Sequence, residues 1–272
     1  MFRLMIAAAL MAGIVSGVLF SVAEQILTVP IIIEAESYEN TARELLSEDD
    51  PPATKEVIKE AVEDQHKQEH SHANDHAHNA HNADQAHSHD DHEHASQAED
   101  SGFAGLSERT LYTLLASVLT GITFALLLAA AMTFYGKGNA RTGLLWGIAG
   151  YLAFFVAPAL GLVPELPGTE AAAIEHRQLW WISTVIATIV GLALLVFAKS
   201  MVLKGVGLLL LVIPHIVGAP VPSHHGSLAP EELSRAFMWM TAIANFIFWV
   251  VLGVLTAFLL NRFKVLSNKV FD

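Results

Sequence analysis

The chain has 272 residues, 53% of them hydrophobic, and a formal charge of −12 with histidine neutral. It contains no cysteine, which excludes disulfides, thiolate metal sites and cysteine catalysis, so a bound metal must be held by imidazole, carboxylate, carbonyl or water. Residues 34–100 carry 19 acidic against 4 basic side chains, a net −15, while the rest of the chain is net +3. The acidity therefore belongs to one segment, and no nucleic-acid partner is expected.

The first apolar stretch, residues 4–29, is long enough to cross a bilayer, whose hydrocarbon core needs about 20 apolar helical residues. Arg3 followed by an apolar run and Ser21-Val22-Ala23 also fits a cleaved secretory signal. Against cleavage, the apolar character resumes through residues 26–33, and Ala9, Gly13, Gly17 and Ser21 recur every four residues as a ridge of small side chains suited to close helix packing. Glu24 follows Gly17 by seven residues, so it falls on nearly the same face and should point at neighbouring helices. A carboxylate inside a span is costly and marks an ion path; the plainer alternative is an interfacial group reaching the headgroups.

Residues 34–109 form one long hydrophilic segment without apolar periodicity, expected to be largely disordered, with a helix conceivable over 56–63. Ten histidines fall within it: His66, His70, His72, His76, His78, His81, His87, His89, His92 and His94. Four His-x-His pairs lie among acidic residues, and imidazole is a good ligand for nickel, copper, zinc and cobalt. Such a tract gathers metal by multiplicity, exchanges it quickly and discriminates poorly. The alternatives are a solvated spacer or a pH-responsive tract, since the imidazoles would charge together near about pH 6.5.

Further spans are predicted at 110–134, 143–163, 179–198 and 236–260, with a shorter apolar segment at 203–218 that carries Pro214 and His215. Six crossings place Arg3, Lys137, Arg141, Lys199, Lys204, Arg262, Lys264 and Lys269 on one side and only Arg109, Arg177 and Arg235 on the other. The positive-inside rule then puts both termini in the cytoplasm and the acidic segment outside. The fold class is an all-α integral membrane protein of five to six transmembrane helices with one long extracytoplasmic His- and acid-rich loop, divided as 1–33, 34–109 and 110–272. On the outer side this topology gathers His176, His215, His224, His225, Glu24 and Glu165, together with Glu170 and Glu175. Pro214 removes a helical hydrogen bond ahead of His215, a device that lines ion sites in transporters, although a lone helix histidine is commonly a packing residue. Trp180 and Trp181 read as interfacial anchors.

Several blocks resemble a known family. Ala23-Glu24-Gln25, Ala35-Glu36-Ser37-Tyr38-Glu39, Pro164-Glu165-Leu166-Pro167-Gly168, Arg177-Gln178-Leu179-Trp180-Trp181 and Pro214-His215-Ile216-Val217-Gly218-Ala219-Pro220 are similar to the CbtA family of predicted cobalt transporter components. The resemblance implies a bacterial cytoplasmic-membrane protein, a role in cobalt supply for cobalamin synthesis, a small histidine-containing CbtB partner, and five spans where hydropathy counts six. It names cobalt; the ligands alone would favour nickel or copper. The leading function is therefore a permease subunit for a divalent cation, captured by the loop, passed to His224, His225, His176 and Glu165, and taken inward by way of His215 and Glu24. The alternatives are a membrane-tethered metal sensor or buffer, or a nickel or zinc transporter. No catalytic cofactor is expected, and no His-Glu-x-x-His, Gly-x-Ser-x-Gly or nucleotide-binding motif points to an enzyme.

Overall fold

The computed structural model describes residues 2–48, 107–135, 139–222 and 226–271. The chain divides into a unit formed by Met1–Glu39 with Gly102–Asp272 and a second of Asn40–Ser101. Among the described residues the regular structure is helical, apart from an isolated bridge between Thr169 and Ser227. The histidines of 66–94, the segment 56–63, Lys137, His224 and His225 lie outside the described residues.

Helix α1 is Phe2–Leu27 and α2 is Val29–Glu48. They are separated at Thr28, two residues before Pro30, whose ring removes a backbone donor and strains continuation of the rod. Helix α2 runs past residue 33 into the segment expected to be loop. Its acidic composition hides an apolar stripe: Ile31, Ile32 and Ala35 pack with Leu166, Ala229, Leu233 and Phe237. Its Glu36 also takes both terminal nitrogens of Arg109, at 2.9 and 3.1 Å. Composition indicated a solvated coil; helix-compatible spacing and these tertiary contacts decide otherwise.

Helix α3 is Glu108–Tyr135 and α4 is Ala140–Tyr151, capped by Asn139, whose side-chain oxygen accepts from the Thr142 amide at 2.8 Å. A π turn at Leu152–Val156 and a short α5, Ala157–Ala159, complete this pass. Pro158 cannot donate to the carbonyl of Phe154, and the π turn absorbs that fault before the helix ends. Helix α6 is Ile174–Phe197, α7 is Met201–Val217 and α8 is Glu231–Phe271.

The core sits where α1, α3 and α8 meet, around Ala8, Ala9, Ala12, Ala125, Met132, Phe248 and Leu252. The ridge expected on α1 is buried and packs on α3 so closely that a Cβ on Gly13 would stand 2.4 Å from Ile122 Cα, and one on Gly17 2.5 Å from Val118 Cα. With Ala9 and Ala12 in this core, α1 is an integral part of the bundle. A second glycine seam, not anticipated from local spacing, joins α4 to α8: a Cβ on Gly253 would lie 2.3 Å from the Gly143 carbonyl oxygen.

Five helices among the described residues are long and apolar enough to span a membrane, and Met201–Val217 is shorter. Its 17 residues rise only about 25 Å, against a core of about 30 Å. Contacts nevertheless fix where α7 goes. Gly191 meets Gly207, and Trp180 meets Pro214, so α7 folds back antiparallel along α6. The Glu170 amide donates to the Gly226 carbonyl at 3.1 Å, so the loop before α6 and the loop before α8 lie at one end. An odd number of passes would put those loops at opposite ends. Among the described residues the helices therefore make six passes of the bundle, with α7 as the shortest, and α1 starts at the end opposite these loops. The end that holds the start of α2, Leu166 and Ala229 is called the α2 end below.

Candidate functional site

Glu24 is the one acidic residue of α1, half-buried, and directed into the bundle as its spacing from Gly17 requires. Its Oε2 accepts a 2.7 Å hydrogen bond from the Ser117 hydroxyl of α3. Ser117 itself is buried, and the glycine seam beside it brings the two helices near enough for this contact. A carboxylate held by one neutral donor keeps lone pairs available for a cation. Ser117 was missed in the sequence because a lone serine in an apolar span carries no spacing signal of its own.

His215 lies at the α2 end of α7, half-buried, its ring edge-on to Trp180 with centroids 6.1 Å apart. The Pro214 carbonyl accepts from the Gly218 amide at 3.1 Å and from the Trp180 indole at 3.3 Å. Trp180 is thus a buried helix clamp, 9% exposed, and not an interfacial anchor; Trp181 is 37% exposed. The reason is Gly161, where any side chain would strike the Trp180 ring, its Cβ falling 2.4 Å away. Replacing Trp180 by Phe deletes the indole donor and leaves part of the space at Gly161 unfilled. It should lower the stability of the α6–α7 hairpin by about 2 kcal/mol or more in thermal unfolding of the detergent-solubilised protein, from the lost hydrogen bond and the cavity together.

Of the remaining described candidates, Glu165 and Glu170 lie in the loop before α6 and His176 in the first turn of α6, at the same end. Glu165 is ion-paired with Arg177 at 2.9 Å, and His176 next to Arg177 is exposed. Glu170 is exposed with its carboxyl over Gly226, the residue that directly follows His224 and His225 in the chain. The structure therefore brings Glu24, Glu165, Glu170, His176 and His215 to one end but does not converge them: α7 with His215 packs on α6, whereas Glu24 faces α3. Among the described residues no three His, Cys, Asp or Glu side chains are grouped to hold a metal ion.

The ten histidines stand between two residues that this end clasps together, Glu36 of α2 and Arg109 of α3. A model of the family "Probable cobalt transporter subunit (CbtA)" matches residues 2–261, nearly the whole chain. The chain belongs to the CbtA family. No curated protein and no solved structure matches it. CbtA membership makes this multi-pass membrane protein a probable cobalt transporter subunit, a term that itself implies a partner, and argues against an enzymatic role. In this CbtA chain, Glu24 is the carboxylate of α1, bonded to the Ser117 hydroxyl of α3.

Proposed function

We propose that this CbtA chain is the membrane-spanning component through which a divalent cation, cobalt, enters a bacterial cell, with a small CbtB-type protein as partner. The α2 end faces out of the cytoplasmic membrane and both termini face in. The tract from His66 to His94 captures metal; His224, His225, His176 and Glu165 receive it at the mouth with His215 beside them; Glu24 is the station within the bundle. Nickel and zinc are admitted by the same ligand chemistry, and cobalt rests on the family.

The observation that carries this reading is the Glu24 carboxylate held between α1 and α3 by Ser117, at the end where Glu36 and Arg109, which flank the histidine tract in the sequence, form an ion pair. Charge supports the orientation. The arginines expected on the outer side are each paired with a carboxylate: Arg109 with Glu36, Arg177 with Glu165 and Arg235 with Glu231, all at 2.9 Å. That leaves the basic excess at the opposite end, as expected of a cytoplasmic face. An inside-negative potential then draws the cation inward with about 2.3 kcal/mol per charge per 100 mV.

Radiolabelled cobalt uptake tests the proposal in cells that express the chain with and without its partner. Removing residues 66–94 should raise the cobalt concentration needed for half-maximal uptake and leave the maximal rate unchanged. A buffer or sensor would instead lose its whole function with the tract. No uptake above background by the complete pair would end the permease reading.

A further inference from the structure

A groove of about 590 Å³ opens between α6 and the pass that ends in the π turn and α5. Its walls are apolar: Phe155, Pro158 and Leu162 on one side, Ile174, Trp181 and Ile182 on the other. Local structure accounts for both walls. The π turn and Pro158 interrupt the regular ridges of one pass. On α6, Trp180 is taken up by Gly161 and the Pro214 carbonyl, and the next residue, about 100° further round the helix, is Trp181 on the groove wall.

The depth of the groove decides what fits it. Helix α6 has 24 residues and rises about 36 Å, more than the hydrocarbon core of about 30 Å, so its first turn lies at headgroup level. The groove follows α6 from Ile174 to Ile182, a drop of about 12 Å, which stays within the depth of one leaflet, about 15 Å. Phe154, the innermost lining residue of its pass, meets Trp181 with ring centroids 6.4 Å apart and closes the groove below. A partner's transmembrane helix needs a seam that runs the length of α6; a cleft that ends inside one leaflet suits an acyl chain.

The mouth is polar. Arg177 and Gln178 line it, and Arg177 Nη2 donates to Glu165 Oε2 at 2.9 Å. The two charged side chains are 31% and 30% exposed, so the pair is open to a headgroup. A guanidinium presents five N–H donors in a fork suited to phosphate, and a carboxylate accepts from an ammonium. An ion pair above an apolar cleft is thus the complement of a zwitterionic lipid, whereas an anionic headgroup would meet Glu165 uncompensated.

We propose that this groove holds one phospholipid of the leaflet at the α2 end, its acyl chain between α6 and the π turn, its phosphate on Arg177 and Gln178, and its ammonium on Glu165. The class is that of phosphatidylethanolamine. Bound there, the lipid packs the α6–α7 hairpin against the neighbouring pass. The inference rests on the chain spanning a membrane and is independent of which ion crosses it and in which direction.

The full chain, purified in detergent and freed of endogenous lipid, is titrated with equimolar phosphatidylethanolamine and phosphatidylglycerol and read by native mass spectrometry. The wild type should saturate at one phosphatidylethanolamine, preferred about tenfold. Arg177→Gln should weaken that binding about tenfold, the effect of losing one hydrogen bond to a charged group. Glu165→Gln keeps the guanidinium and removes the carboxylate, so the preference should turn toward phosphatidylglycerol, a change of sign that loosened folding does not produce. The chain has no cysteine, so Ala159→Cys puts a unique thiol on the groove wall, and coupling a benzyl reagent to the folded protein should displace the lipid. Equal retention of the two lipids by wild type and Glu165→Gln, or full retention after coupling, would overturn the site. So would loss of the lipid on adding the partner or a second copy, with a crosslink to it from position 159, which would give the groove to a protein helix. Cobalt uptake enters none of these readouts, so their failure leaves the permease reading standing.

Discussion

Glu24→Gln should lower cobalt uptake by about 10- to 100-fold at subsaturating metal while the protein remains folded. Glutamine has the shape of glutamate and still offers an oxygen to the Ser117 hydroxyl, so the α1–α3 contact survives. What disappears is the charge. An interaction with a charged partner contributes about 1.5–3 kcal/mol more than none, which is about 10- to 100-fold in a rate limited by that step. Stability should hold or rise, because the exchange removes the cost of keeping a carboxylate half-buried inside a span. Ser117→Ala makes the complementary change: the charge stays and its orientation loosens, so uptake should fall only severalfold. Equal initial rates for wild type and Glu24→Gln, measured with radiolabelled cobalt at matched expression, would remove Glu24 from the path.

The largest effect on stability is expected from Gly13→Val. The new Cβ would stand 2.4 Å from Ile122 Cα, 2.6 Å from Ile122 N and 2.8 Å from the Gly121 carbonyl carbon. All three are backbone atoms of a packed helix, so relief requires that α1 and α3 separate. Overpacking of a core costs about 1–3 kcal/mol where side chains can yield, and here they are not the obstacle, so about 3 kcal/mol or more is expected. Separation would also draw Glu24 from Ser117, and uptake should fall with stability. Gly205→Ala is the control: nothing lies within 4 Å of its added Cβ, and α7 should gain up to about 1 kcal/mol from the lower flexibility of alanine. Thermal unfolding of the two purified variants checks both; comparable stability would mean that the glycine seam does not hold α1 in place.

Periodicity and hydropathy were enough to place the apolar passes and to face α1 correctly. The four-residue recurrence of Ala9, Gly13, Gly17 and Ser21 named the surface that meets α3, and the seven-residue step to Glu24 carried its carboxyl to that side. Both depend on helix geometry alone, which is why they were readable. The same method lost Gly143 and Gly147, although they too stand four apart, because their role is set by Gly253 more than a hundred residues away. It also misread 34–48: the acidic composition was real, but Ala35 and Glu36 find partners in Leu166 and Arg109 that no local window contains.

By itself, the sequence determined that this is a membrane protein built of apolar helices, where its bases lie along the chain, and that a thiolate metal site is excluded. These follow from the free energy of placing each residue type in lipid or water, which is a property of the residue. Only the tertiary structure decided that α7 is a returning pass, that Trp180 clamps Pro214 and that Ser117 holds Glu24. Each of those depends on which helices meet and in what register, and such pairing is a cooperative outcome of packing the whole bundle.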